Sequence, residues 1–81
     1  MKREKLLAKA RNNPKGLRFA DLCKLAEDYG FRFRRQEGSH RIFRRDGVPR
    51  RLNFQPGRNG MAKEYQVHQL LELIDEYGEE G

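Results

Sequence analysis

Apolar residues recur along this chain with two different periods. From Lys2 to Arg11, Leu6, Leu7 and Ala10 fall on one side of a helix and charged residues on the other. Asn12, Asn13, Pro14 and Gly16 then break the pattern, so we read a short helical arm and a loop. A second helix is predicted over about Ala20–Tyr29, where Phe19, Leu22, Cys23, Ala26 and Tyr29 repeat at helical spacing, Asp21 favours the positive end of the dipole and Gly30 provides the stop.

After Gly30 the period drops to two. Phe31 and Phe33 are expected to face one way, against a covering layer, and Arg32 and Arg34 the other. A turn is predicted over Arg35–Ser39, then a strand over His40–Arg45 with Arg41 and Phe43 on one face and His40, Ile42 and Arg44 on the opposite one. Asp46, Gly47 and Pro49 make the next turn, and Leu52 and Phe54 alternate with Arg51, Asn53 and Gln55 in a third strand. Beyond the loop at Pro56, Gly57, Asn59 and Gly60, the stripe Val67, Leu70, Leu71, Ile74 and Tyr77 marks a helix over about Lys63–Tyr77, ended by Gly78.

The order helix, three strands, helix, preceded by an arm, predicts a two-layer α+β fold. The helices pack on one face of an antiparallel sheet and leave the other open. With 81 residues the chain forms one domain, 1–81, of which 1–16 are the arm and loop. A domain of this size has little room for a deep cavity, so chemistry is expected on an open face.

Charge sharpens that expectation. Eighteen Lys and Arg outnumber 12 Asp and Glu, a net +6 that suits a polyanionic partner. The excess is concentrated from Arg32 to Arg51, where Glu37 and Asp46 stand among the arginines, whereas acids gather in the last twenty residues. Cys23 is alone and at an apolar position, so no internal disulfide is expected and the cytoplasm is the default location. There is no apolar run of membrane-spanning length, and the first eleven residues do not read as an export signal.

His40 stands out as candidate chemistry. It follows Gly38 and Ser39 at a turn-to-strand junction, with Arg34, Arg35, Arg41, Arg44 and Arg45 close by in sequence. A histidine exchanges a proton near neutral pH, and guanidinium groups hold a phosphodiester and stabilise charge on its oxygens. Together these are the requirements for RNA scission by attack of the 2′-hydroxyl, without a metal. His68 reads as an exposed helix residue, and His40, His68 and Cys23 do not have zinc-site spacing, so no metal or other cofactor is expected. An alternative is a non-catalytic RNA-binding module, in which the arginines matter and His40 does not.

The stretch Arg35-Gln36-Glu37-Gly38-Ser39-His40-Arg41-Ile42-Phe43 resembles the HicA family, the toxin components of type II toxin-antitoxin systems. The Phe19–Leu25 segment, the Gly30-Phe31 boundary and Tyr65-Gln66-Val67 leading into Leu70-Leu71 are similar to that family as well. The resemblance implies a double-stranded-RNA-binding-like fold, endoribonuclease (mRNA interferase) activity on messenger RNA, and inhibition by a HicB-type antitoxin protein. It carries the family's functional histidine onto His40, with Gly38 and Ser39 shaping the turn. The chain departs from many members at Arg41, where they have a second histidine, and at Lys63-Glu64, where they have Lys-Pro.

Overall fold

A computed structural model describes residues 2–78. Its elements are α1 (Arg3–Asn12), α2 (Phe19–Asp28), β1 (Arg32–Glu37), β2 (His40–Arg44), β3 (Leu52–Phe54) and α3 (Glu64–Tyr77), with 3-10 turns at Pro14–Gly16 and Arg58–Gly60. The strands form one antiparallel sheet in the order β1-β2-β3. This is the α+β fold that the periodicities predict, and its element boundaries fall within a few residues of the predicted ones except in β1.

The core lies between the helices and one sheet face. Leu22, Leu25 and Ala26 of α2, Val67, Leu70 and Leu73 of α3, and Phe43, Leu52 and Phe54 of the sheet belong to one cluster of buried residues. The Phe43 and Phe54 rings pack 5.5 Å apart between centroids. Leu6 and Ala10 of α1 are fully buried in the same cluster. The predicted arm is therefore a docked helix, because its short apolar stripe meets a matching stripe rather than solvent.

The end of α2 follows from Gly30. Its φ of +92° permits a Schellman closure, in which Phe31 N–H reaches Ala26 O at 3.0 Å and Gly30 N–H reaches Glu27 O at 3.1 Å. Phe31 then turns inward and is fully buried, just before β1 begins.

Two expectations about β1 need correction. The segment Arg35–Ser39 is not all turn: β1 runs on to Glu37, and only Gly38 and Ser39 connect it to β2. Gly38 takes φ +61° at the first loop position, which a two-residue hairpin loop requires of one or both residues. Nor do Phe31 and Phe33 share a covered face, since Phe33 is 48% exposed and every residue of β1 is exposed. The strand lies at the sheet edge, and Phe33 covers only one side of Phe43 with an edge-on ring at 5.8 Å.

Candidate functional site

The register of the sheet decides which side chains meet. Phe43 pairs with Leu52 and Arg41 with Phe54, so these four face the helices. Ile42 pairs with Asn53 in the opposite orientation, so His40, Ile42, Arg44 and Asn53 face away from them. In β1 the register shifts between Phe33 and Arg35, leaving Arg34 as the extra residue of a bulge. The shift turns Arg35, paired with Ile42, and Glu37, paired with His40, onto the open face as well.

That face is a polar surface built around a half-buried histidine. His40 Nδ1 lies 2.8 Å from Asn53 Oδ1, a diagonal contact across β2 and β3. With Oδ1 as the acceptor, Nδ1–H is the donor, and in that tautomer a neutral ring would keep its lone pair on Nε2. The strand bearing Asn53 is itself pinned: buried Gln66 at the start of α3 donates to Asn53 O at 3.1 Å and accepts from Gln55 N–H at 3.1 Å. Gln55 donates to Ser39 Oγ at 2.9 Å and accepts from Lys63 at 2.9 Å, tying the hairpin loop that presents His40 to the same helix.

Arg35 donates from Nε to Glu37 Oε2 at 2.5 Å. That hydrogen bond and the charge of Arg35 hold the Glu37 carboxyl below its ordinary range, with Arg51 and His40 acting in the same direction. Ile42 is 1% exposed although it lies outside the core cluster, so the long polar side chains of this face roof it over.

The five arginines expected around His40 divide by location. Arg35 and Arg44 share its face, and Arg34 is exposed on the bulge at the edge. Arg41 is a correction: although adjacent in sequence, it points to the helix side, where its guanidinium lies 5.4 Å from the centre of the Phe19 ring. There its charge and hydrogen bond partly offset the burial that raises the Cys23 thiol above its ordinary pKa. Arg45 is a second correction, being 5% exposed. Its Nη1 donates to Tyr29 O at 3.1 Å and Gly78 O at 2.7 Å, and its Nη2 to Tyr77 O at 3.1 Å.

Asn53 and Gln66 were missed as site residues. The alternation of β3 already places Asn53 on the polar side, but its meeting with His40 depends on a register that two separate strands cannot declare. His68 is exposed on α3 beside Glu64 at 3.4 Å, and Cys23 is buried on α2, so neither lies on the face of His40.

The arrangement holds a histidine ring through Nδ1 on a shallow surface that also carries Arg35 and Arg44. A family model described as the HicA toxin of bacterial toxin-antitoxin systems matches residues 19–75, which is α2 through most of α3 and includes every residue of the His40 face. Comparison with curated proteins gave no match, and neither did comparison with solved structures. The helix-sheet-helix architecture agrees with the double-stranded-RNA-binding-like fold of that family. The chain belongs to the HicA family of bacterial toxin-antitoxin toxins.

Proposed function

We propose that this toxin is a metal-independent endoribonuclease that cuts messenger RNA, with His40 as its general base. The observation that carries this reading is the 2.8 Å contact of His40 Nδ1 with Asn53, which leaves Nε2 as the basic nitrogen on a face bordered by Arg35 and Arg44. Nε2 takes the proton of a ribose 2′-hydroxyl. The 2′-oxygen then bonds to the adjacent phosphorus as the bond to the 5′-oxygen breaks. The leaving oxygen takes a proton from water on the open face, and the products are a 2′,3′-cyclic phosphate and a 5′-hydroxyl. Arginines beside the phosphate stabilise the charge that accumulates on its oxygens.

The antitoxin on this reading is a HicB-type protein whose acidic surface covers the His40 face, excluding RNA and neutralising the arginines together. The site of action is the cytoplasm, where messenger RNA is found. No helix among the described residues is long and apolar enough to cross a membrane.

The test is to incubate the purified chain with a messenger RNA in excess EDTA, wild type beside His40→Ala, and resolve the products on a denaturing gel. Fragments from the wild type alone are expected, with cleavage by the variant down by about 10²-fold or more and RNA binding retained. Intact RNA in both lanes, with binding retained, would refute catalysis and leave a non-catalytic RNA-binding module.

A further inference from the structure

At the far end of β2 from His40, a cavity of about 510 Å³ opens between the strand ends and the end of α2. Arg32, Arg34 and Arg44 line its strand side, and Glu27, Asp28 and Asp46 line the other. Resting on the function proposed above, we propose that this cavity is a second phosphate-binding site for the same RNA strand. It would hold a phosphate two nucleotide steps from the one being cut.

Three observations lead to it. Arg32 and Arg44 are directly paired across β1 and β2, a like-charge juxtaposition that weakens a sheet unless an anion relieves it. Among the described residues neither forms an ion pair, and Arg34 does not either, although three carboxylates share the cavity. Of these, Asp28 pairs through Oδ1 with Lys24 at 3.5 Å, while its Oδ2 is buried without a hydrogen-bond partner among the described residues. The bulge between Phe33 and Arg35 adds Arg34 to the strand at this point, so this end of the sheet gathers three cations that form no ion pair among the described residues.

Spacing connects the cavity to His40. Four residue steps of strand lead from His40 to Arg44, about 13 Å at roughly 3.3 Å per residue. Successive phosphates of an extended ribose-phosphate chain follow at roughly 6 Å, so a strand lying along β2 brings the second phosphate beyond the scissile one to the arginines. Planar guanidinium groups suit that ligand because they grip phosphate oxygens in pairs. The carboxylates opposite oppose any anion there, so Asp46→Asn is expected to tighten binding of strands that reach the cavity.

The experiment uses uridine oligomers of two, four and six nucleotides carrying 2′-O-methyl groups, which cannot be cut because the nucleophile is blocked, and measures their binding by fluorescence anisotropy. Wild-type affinity should step up between the dimer and the longer oligomers. In the double variant Arg32→Gln, Arg34→Gln the step should vanish, a loss of roughly tenfold or more for the hexamer with dimer binding unchanged. The salt dependence of hexamer binding should flatten by about one unit of logarithmic slope for each phosphate contact removed. A second variant, Arg32→Glu, should likewise abolish the step in a folded protein, because it puts a carboxylate where the phosphate would bind.

A step that survives the double variant would overturn the proposal, as would equal losses for dimer and hexamer. RNA binding that is unchanged while binding of a polyglutamate peptide is lost would assign the cavity to a protein partner and overturn it too. Cleavage is not read in this assay, so a protein that shows the length step but fails to cut messenger RNA would refute the nuclease and leave the phosphate site standing.

Discussion

Replacing Arg45 separates a structural arginine from those proposed to face RNA, and the size of the effect follows from its contacts. Its guanidinium donates to the carbonyls of Tyr29, Tyr77 and Gly78 at 3.1, 3.1 and 2.7 Å. Two of these acceptors close α3, whose last carbonyls lack partners within the helix and carry the negative end of its dipole. A hydrogen bond from a charged donor contributes about 1.5–3 kcal/mol. The three share one cation whose own burial is costly, so Arg45→Met should lose about 3 kcal/mol rather than the full sum. For a chain of this length that corresponds to a fall in melting temperature of roughly 12–24 °C.

Met fills most of the vacated space, which restricts the loss to hydrogen bonding and charge. Arg45→Lys should fall between, because one ammonium cannot span all three acceptors. Thermal and urea unfolding followed by circular dichroism give the stability, and RNA anisotropy at a temperature where both proteins are folded gives the binding. A variant that melts within about two degrees of wild type would refute the reasoning. So would a folded variant that loses RNA affinity as the Arg32 and Arg34 substitutions are expected to.

Asn53→Ala frees the His40 ring to adopt either tautomer, so the cleavage rate constant should fall by about ten- to a hundredfold with little change in KM, measured by single-turnover cleavage. Glu37 and Asp75 both have carboxyl pKa values below their ordinary range, through Arg35 and Arg11 respectively. Their stabilisation is complete above the unfolded values of about 4 and is lost as pH falls through the lower folded values. Melting temperature should accordingly decline on acidification below about pH 4.5, and less steeply in a Glu37→Gln, Asp75→Asn variant. Cys23 is buried with its thiol pushed up, so a thiol reagent at pH 8 should label it slowly in the native protein and quickly after denaturation; equal rates would contradict the packing.

Much of this fold was legible in the sequence because its buried faces repeat at clean periods. The stripe from Val67 to Tyr77 delimits α3, and the alternation in β2 assigns Arg41 with Phe43 and His40 with Ile42 to opposite faces, as the structure shows. The same alternation held the information that Arg41 and His40 diverge, yet nearness in sequence drew all five arginines into one group. β1 was misread because an edge strand exposed along its whole length shows no apolar period, and because a bulge resets its parity at Arg34. Arg45 could not be told from its neighbours locally, since its acceptors lie 16 to 33 residues away. The union of His40 with Asn53 likewise depends on strand register, which is set by Phe43 and Leu52 burying themselves on the other side of the sheet.

The tie between Arg45 and the end of α3 also sets a schedule. The acceptor Gly78 is made 33 residues after Arg45, and α3 supplies both Gln66, which holds the Asn53 strand, and a large share of the apolar cluster. At about 5–20 residues per second, ribosomal synthesis of that interval lasts roughly 2–7 s. During it the hairpin bearing His40 exists as chain without the layer that completes it. If the chain cuts messages as proposed, its His40 face would stay incomplete until α3 had been synthesised.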